Sequence, residues 1–454
     1  MADGPSRVTL CDFSVEHGTG STDIDHQGLQ NHQIELNAVN ADVTDVEIRN
    51  VFFGTCVGDG IRLAGGVNGT VLRNTTIQHV IMRLGKHPEA PDGCRSGVSF
   101  QKGIRDLLLS DFSIVGPKNS CLDMEPTAEG GIDNVTITNG TMDNTQGKTW
   151  VAASFDGFEN NGNVTSFLTH SRMVNVRIKG GQLQVVSTRG CTLDNVVIEA
   201  NRADTADALN SPLLLVYREN EDLAIRNVDL VRGAVCPPGP LVTVQHVVNS
   251  PKRVIIDGGT WTTRAGPGTE LSYVDIQDTS GLLMRGTRIR IEDALTGERR
   301  GIRFRPGQRD MVGIKLDGVT IESPDGLSGG FVFGAIDRNL TNIAITGCTL
   351  TGAAKNAVVF SAAGTFVVDR FPILQGNDFD RCLTLFSASQ TAAGAVFPII
   401  AGNRGGQATM LGTVAPEGTV AARQGSQYIR QNGDATELWW KAIGTGSSGW
   451  TKKI

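Results

Sequence analysis

A short pattern returns throughout this chain: an apolar residue, any residue, then Asn, Asp or Gly, often followed by another apolar residue. Its last six copies are 31, 28, 32, 29 and 29 residues apart, counted between the residues Asn227, Gly258, Gly286, Gly318, Gly347 and Gly376. A steady period of this length indicates a β-solenoid, in which each coil packs on its neighbours. Asn and Gly suit the bends of such coils because they accept left-handed backbone conformations.

Earlier copies of the pattern are less regular in spacing. They are centred on Asn50, Asn74, Asp111, Asn134, Asn175 and Asn195. The chain has 56 glycines in 454 residues and no sustained 3.6-residue apolar period, so little helix is expected. We therefore predict an all-β fold, a right-handed parallel β-helix of about a dozen coils spanning residues 1–405.

The composition changes after residue 405. Short strand-like segments containing Tyr428, Trp439 and Trp450 are joined there by turns rich in Gly, Ser and Asn. This pattern predicts a separate small β-hairpin module over residues 406–454.

Bulk properties narrow the range of partners. The net charge is −6 and no basic block is present, so nucleic acid is not an expected partner. No run of about 18 apolar residues is present, so no membrane span is expected. The eight cysteines lack CxxC spacing and are read as buried free thiols, with no metal site and no cofactor predicted.

Alternation along the strands predicts an active face. If Leu122 and Met124 fill the core, Asp123 and Glu125 must point outward, because successive side chains of a strand lie on opposite faces. The same reasoning applied to the neighbouring coils places a polar stripe on that face. Its further members are Arg62, Gln101, Ser154, Asp156 and Arg218.

The carboxylates of this stripe suit glycoside hydrolysis. Residues i and i+2 of a strand are roughly 6.5–7 Å apart, so Asp123 and Glu125 have the separation of an inverting pair. Glu125 and Asp156 lie on neighbouring coils about 4.8 Å apart and suit a retaining pair. We predict Glu125 as the proton donor, with Asp123 or Asp156 as the base or nucleophile.

Two long segments flank these coils and are predicted to wall a groove. They span residues 83–95 and 139–170, and long loops on a regular scaffold commonly carry function. The predicted substrate-binding residues are Arg62, Gln101, Arg95, Arg218, His87 and Ser154, with the arginines suited to an acidic sugar. Asp59, between two glycines, is read as a turn residue.

The segment Leu122-Asp123-Met124-Glu125-Pro126 resembles the hydrophobic-Asp-x-Glu-Pro segment of phage and prophage β-helix tail proteins. The Asn-rich coils over roughly residues 8–400 are similar to right-handed parallel β-helix proteins of the pectate-lyase-like superfamily. The Gly-Asp-Gly-x-x-Asp-Asp-Thr segment that commonly opens such tailspikes is absent. The resemblance implies a homotrimer, on a virion tail or outside the cell, that binds and cleaves a bacterial polysaccharide.

Three functions stay open at this point. The first is a polysaccharide depolymerase that hydrolyses a bacterial surface polysaccharide or exopolysaccharide. The second is a lyase for uronic-acid polymers, which needs an Arg or Lys base and often Ca²⁺ on clustered carboxylates. The third is a glycan-binding or structural tail protein whose groove does not cleave.

Overall fold

The chain forms two compact units. The first contains Met1–Pro238 and Val247–Asn249, and the second contains Gly239–His246 and Ser250–Ile454. The computed structural model describes residues 7–17, 32–56, 58–66, 69–85, 93–128, 130–160, 163–203, 208–245, 251–269, 271–293, 298–323, 326–336, 338–352, 354–362, 373–379, 382–389, 399–401, 403, 407–412, 415–418, 427–432, 435–442 and 448–453. His87, a predicted substrate contact, lies outside the described residues.

The described residues of the first unit form twenty strands. They are β1 (Val8–His17), β2 (Ile34–Asn37), β3 (Val43–Thr55), β4 (Ile61–Ala64), β5 (Leu72–Arg83), β6 (Ser96–Gln101), β7 (Ile104–Val115), β8 (Ser120–Glu125), β9 (Ile132–Asp143), β10 (Val151–Asp156), β11 (Phe158–Asn160), β12 (Asn163–Ser166), β13 (Leu168–Thr169), β14 (Arg172–Lys179), β15 (Gln182–Val186), β16 (Thr188–Arg189), β17 (Thr192–Ala200), β18 (Leu214–Tyr217), β19 (Ala224–Arg226) and β20 (Asp229–Arg232).

The described residues of the second unit form another twenty strands. They are β21 (Val242–Gln245), β22 (Ile255–Asp257), β23 (Thr260–Thr263), β24 (Ser272–Gln277), β25 (Leu283–Arg285), β26 (Arg288–Ile291), β27 (Arg300–Arg305), β28 (Met311–Asp317), β29 (Thr320–Glu322), β30 (Leu327–Ile336), β31 (Leu340–Thr346), β32 (Thr349–Thr351), β33 (Ala354–Ala362), β34 (Ile373–Gln375), β35 (Cys382–Ser389), β36 (Ile399–Ala401), β37 (Gln407–Gly412), β38 (Gln427–Asn432), β39 (Ala435–Lys441) and β40 (Trp450–Lys452).

The strands of the coils pair in parallel with the equivalent strands of the next turn. In the first unit β3, β5, β7 and β9 form one such series, and β2, β4, β6 and β8 form another. In the second unit β24, β27, β30 and β33 pair in the same way. This register is that of a parallel β-helix, and the all-β prediction is confirmed.

Two bends per turn shape the coils of the first unit, and residues with positive φ form both. The first bend ladder stacks Asp45, Asn74, Asp106, Asn134 and His170 in register. The second bend ladder stacks Asp12, Asn50, His79, Asp111, Asn139, Asn175, Asn195 and Asn227. All have φ between 48° and 57°, a region that Asn and Asp enter more readily than most residues. The sequence pattern mixed the two ladders, because Asn74 and Asn134 belong to the first and the other copies to the second.

Side-chain amides bind each ladder together. Asn50 donates to Asp12 at 2.8 Å, Asn134 to Asp106 at 2.6 Å, and Asn195 to Asn175 at 2.7 Å. In the second unit glycines take the bends predicted at Gly258, Gly286, Gly318, Gly347 and Gly376, with φ between 60° and 74°.

The core lies inside the coils and is formed by stacked apolar residues from successive turns. Strand β8 illustrates the alternation, since Leu122 and Met124 are buried while Asp123 and Glu125 are partly exposed. In the second unit the rings of Phe304, Phe333 and Phe360 stack at 4.6 and 4.5 Å between centroids. Burial of these large side chains stabilises each unit by the hydrophobic effect.

The structure corrects two expectations. Cys56 and Cys94 form a disulfide, so the cysteines are not all free thiols; the two lie on neighbouring turns, with Cα atoms 4.8 Å apart. The remaining six are free, five of them buried. The segment 139–170 is also not one long loop, because it contains the end of β9, all of β10 and the antiparallel hairpin of β11 and β12.

The predicted small C-terminal β module is present. Strands β38, β39 and β40 pair antiparallel, and the rings of Tyr428 and Trp450 meet edge to face at 5.9 Å. Strand β37 pairs in parallel with both β35 and β38. The domain boundary at residue 405 stays a prediction. Across the part of the chain that the structure describes, no helix is long and apolar enough to cross a membrane.

Candidate active site

The predicted polar stripe forms on the outward face of β4, β6, β8 and β10. Arg62 lies across from Ser99, and Ser99 lies across from Asp123. In the adjacent row Gln101 lies across from Glu125. The pairing of β8 with β10 is parallel, so the chain brings side chains from positions 62 to 156 onto one surface of the first unit.

A two-point ion pair anchors one end of this surface. Arg95 donates from Nε to Oδ1 of Asp59 at 2.8 Å and from Nη2 to Oδ2 at 2.7 Å. Asp59 is fully buried, and the Nη2 atom of Arg95 also lies 4.0 Å from Oε2 of Glu125. The hydrogen bonds to Asp59 raise the pKa of Arg95. Arg95 is therefore a fixed cation beside Glu125.

His32 packs against the same buried carboxylate. Its Nδ1 accepts a hydrogen bond from the backbone N–H of Asp59 at 3.0 Å and lies 3.4 Å from Oδ2. The His32 side chain is 4% exposed, and burial lowers its pKa. An unprotonated Nδ1 is what the contact with the backbone N–H requires. His32 is therefore neutral and buried against Asp59.

A chain of hydrogen bonds orients Glu125 from the other side. Arg62 pairs with Glu35 through Nη1 and donates from Nη2 to Oε1 of Gln101 at 2.6 Å. The amide nitrogen of Gln101 donates to Oε2 of Glu125 at 3.0 Å. The Glu125 oxygen thus faces an amide donor and a guanidinium, which are the partners that an ionised carboxylate takes.

Asp123 has a different environment although it is only two residues away. Burial raises its pKa to about 6, with a further contribution from the negative charge of Glu125. Among the described residues, the hydroxyls of Ser96 and Ser154 lie near its oxygens, each at 3.4 Å. Ser154 is itself held by the N–H of Met124 at 2.9 Å. Asp123 therefore keeps its proton to a higher pH than an ordinary aspartate.

Asp156 is the third carboxyl of the cluster. Burial raises its pKa well above the usual value, and the charge of Asp123 adds to the shift. Its Oδ1 atom is buried and accepts no hydrogen bond from the described residues. Arg218 acts against this shift through its charge, and its guanidinium lies 5.0 Å from the ring centre of Tyr217.

Carboxyl groups outnumber guanidinium groups in and beside the stripe. The described residues there contribute five carboxyl groups and three guanidinium groups. The carboxyl groups belong to Glu35, Asp59, Asp123, Glu125 and Asp156, and the guanidinium groups to Arg62, Arg95 and Arg218. Arg62 is engaged by Glu35, and Arg95 by Asp59. The surface is therefore not a basic receptor of the kind that an acidic sugar polymer needs.

The predicted site residues meet as follows. Arg62, Arg95, Gln101, Asp123, Glu125 and Ser154 are joined by the contacts above, and Asp156 lies within electrostatic reach of Asp123. The sequence reasoning missed His32, Glu35, Asp59 and Ser96. Asp59 was read as a turn residue because glycines flank it. No local signal marks its role, because its partner Arg95 is 36 residues away in the sequence.

The sequence matches no protein-family model and no curated protein. Solved structures with similarity to the chain include an A-module of a mannuronan C-5 epimerase from Azotobacter vinelandii. It is 12% identical over 83% of this chain and 89% of its own, with a TM-score of 0.37. A surface adhesin of Streptococcus pneumoniae is 10% identical over 85% and 91%, with a TM-score of 0.41. Tailspike protein 3 of bacteriophage CBA120 is 11% identical over 92% and 62%, with a TM-score of 0.28.

Proposed function

We propose that this protein hydrolyses the glycosidic bonds of a polysaccharide at the surface formed by Asp123, Glu125 and Asp156. The observation that carries the proposal is the contrast between two carboxyl groups on one strand. Asp123 is largely desolvated with a pKa of about 6, whereas Glu125 faces Gln101 and Arg95. Environments that separate two carboxyl groups in this way are the requirement for acid and base roles at one site.

The contacts favour Asp123 as the acid and Glu125 as the base, the reverse of the sequence-based expectation. Asp123 gives its proton to the glycosidic oxygen as the bond to the anomeric carbon breaks. Glu125 takes a proton from the water that bonds to that carbon from the opposite face. Residues i and i+2 on one face of a strand are roughly 6.5–7 Å apart, which leaves room for the water and predicts inversion.

The contacts of Arg95 count against the lyase alternative. A lyase needs a base with a free electron pair at working pH, and pairing with Asp59 raises the pKa of Arg95 instead. Arg62 is engaged by Glu35 and Gln101. The internal compensation of both cations also disfavours a uronic-acid polymer and favours a neutral polysaccharide as substrate.

The test is incubation with a panel of polysaccharides, scored for new reducing ends and for ultraviolet absorbance. Hydrolysis gives reducing ends without absorbance, a lyase gives both, and a binding protein gives neither. Asp123→Asn and Glu125→Gln should each lower the rate by about 10²–10⁴-fold. Retention of more than a tenth of the wild-type rate by both variants would exclude this acid–base pair.

The oligomeric state and the location of the protein are also proposals. We infer a homotrimer outside the cell or on a virion tail, a reading supported by the Asp-x-Glu-Pro segment that ends at Pro126. Light scattering at micromolar concentration tests the trimer, and a monomeric mass would contradict it.

A further inference from the structure

A shallow trough runs along the second bend ladder of the first unit, on strands β7, β9, β14 and β17 and therefore not on the strands of the carboxylate stripe. Its cavity volume is about 400 Å³. We name it the amide trough, after its principal lining residues Asn139, Asn175, Asn195, Thr141, Arg177 and Phe112. Cavities of this size are within the range that holds small ligands.

The three asparagines present a regular row of polar groups. Asn175 donates to Oδ1 of Asn139 at 3.2 Å, and Asn195 donates to Oδ1 of Asn175 at 2.7 Å. An amide has two N–H donors and an oxygen with two lone pairs, so the ladder uses only part of this capacity. All three side chains are exposed. Oδ1 of Asn139 also accepts from the hydroxyl of Thr138 at 3.3 Å, so the unused acceptor capacity lies on Asn175 and Asn195, on coils about 4.8 Å apart.

The apolar residues behind the amides are packed into the core. Gly140 lies across from Phe112, and a Cβ at position 140 would stand 2.1 Å from the Phe112 ring. Phe112 and Val176 are only 4% and 1% exposed, so the ring fills the space beside Gly140. The surface that a ligand can reach is therefore formed mainly by the exposed amides and by Thr141, Arg177 and Val197.

The charge of the trough is balanced. Among the described residues that line it, Arg177 alone is charged, and Arg177 forms a two-point pair with Glu199 at 3.2 and 2.6 Å. A compensated cation offers little attraction to an anion. The ligand class that fits is therefore neutral and rich in hydroxyl groups.

We propose that the amide trough is a second, non-catalytic binding site for a neutral polysaccharide chain lying along the coil axis. Exposed amides on three successive coils match a polymer that lies along the coil axis. The proposal does not rest on the hydrolysis proposed above, because it uses neither the strands nor the carboxyl groups of that site.

The test replaces an amide without straining the backbone. Asn175→Gly keeps the positive φ of 55°, and glycine already takes the equivalent bend at Gly258 and Gly286. Asn74→Gly is the matched control, because Asn74 has a φ of 52° and donates to Asp45 at 3.2 Å in the first bend ladder, outside the trough. Both changes are made in the full chain carrying Asp123→Asn, which slows cleavage about 10²–10⁴-fold under the proposed mechanism.

Dissociation constants are measured for dextran, galactomannan and mixed-linkage glucan, with alginate as the acidic comparison. We expect one or more of the neutral polymers to bind, and Asn175→Gly to weaken that binding about tenfold, which is about 1.4 kcal/mol. Asn74→Gly should leave it unchanged, and the melting temperatures of the two variants should agree.

Three results would overturn the proposal: no neutral polymer binding at millimolar concentration, equal binding by the Asn175→Gly and Asn74→Gly chains, or binding to alginate alone. Equal binding by the two chains would assign the glycan to the carboxylate stripe. If Asn175→Gly weakens glycan binding but the wild-type protein cleaves no polysaccharide, the binding proposal for the amide trough is supported and the proposed hydrolysis is wrong.

Discussion

The guanidinium of Arg95 donates two hydrogen bonds to the buried carboxylate of Asp59, at 2.8 and 2.7 Å. Its Nη2 atom lies 4.0 Å from Oε2 of Glu125. Asp59 belongs to the turn before β4, and Arg95 directly precedes β6. The pair therefore ties two turns of the coil together at the edge of the carboxylate stripe. It fixes the one cation that lies beside Glu125, so it links the stability of this region to the geometry of the site.

Asp59→Asn should cost both stability and activity. The change removes one charge of a buried pair and places an N–H group against the Arg95 fork, which predicts a loss of about 3 kcal/mol. Displacement of Arg95 should lower kcat by up to about 10²-fold, because small misplacements at a site are costly. Urea denaturation and kcat measure the two effects.

Asp106→Asn provides the control for that change. Asp106 is an exposed acceptor of the first bend ladder, where Asn occupies equivalent positions at Asn74 and Asn134. The Asp106→Asn variant should have a urea midpoint close to that of the wild type, and its kcat should be unchanged. A stable Asp59→Asn chain with full activity would show that Arg95 is positioned without this pair.

The pH dependence of the rate distinguishes the two acid assignments. The pKa of Asp123 is raised to about 6, so its proton is present below pH 6 and is lost as the pH rises above it. If Asp123 is the acid, kcat/KM should fall about tenfold per pH unit above pH 6. A wild-type rate that stays flat to pH 8 would contradict the assignment.

Leaving-group ability separates the roles of Asp123 and Glu125 directly. An aryl glycoside of the cleaved sugar needs little protonation of its leaving group, so Asp123→Asn should lose much less activity on it than on the polysaccharide. Glu125→Gln should lose activity equally on both, because water still needs a base. The opposite pattern would restore Glu125 as the proton donor.

The disulfide predicts a redox dependence of stability. Cys56 and Cys94 are separated by 38 residues, and closing a loop of this length stabilises a fold by about 4 kcal/mol in the chain-entropy model. Dithiothreitol should therefore lower the denaturation midpoint of the wild type. The double variant Cys56→Ser with Cys94→Ser should have a denaturation midpoint below that of the wild type even without dithiothreitol. Adding dithiothreitol should not lower the midpoint of this variant further.

Cys11→Ser is the matched control, since Cys11 is a free, partly exposed thiol. It should respond to dithiothreitol as the wild type does. If the double variant and the wild type unfold at the same denaturant concentration in oxidising buffer, the bond does not form in solution.

The bends and the outward acids could be predicted from the sequence because both follow from local rules. Asn and Gly at positive φ mark the turns, and strand alternation alone turns Asp123 and Glu125 outward. Asp59 and the disulfide could not be found in this way. Their partners, Arg95 and Cys94, lie on another turn, and the sequence pattern does not give the coil register across residues 83–95.

The acid–base assignment also required the structure. The sequence places Asp123 and Glu125 on one face but does not say which is desolvated. That difference arises from Gln101 and Arg95, which reach Glu125 from other turns, while the hydroxyl groups of Ser96 and Ser154 face Asp123. Long-range contacts of this kind carry no local sequence signal.

Gly140→Ala should destabilise the first unit by overpacking. A Cβ at position 140 would stand 2.1 to 2.5 Å from three atoms of the Phe112 ring, a clash that the packed core can relieve only by moving the ring. Overpacking of this kind costs about 1–3 kcal/mol. Gly85→Ala is the control, because its new Cβ would meet only the flexible end of Gln146, at 3.2 Å.

Phe112→Leu removes the three ring atoms that cause the clash, so the double variant tests the cause. Measured by urea denaturation, Phe112→Leu with Gly140→Ala should lose less stability than the sum of the single losses, with a coupling of about 1 kcal/mol or more. Strictly additive losses would mean that the ring does not occupy the space above Gly140.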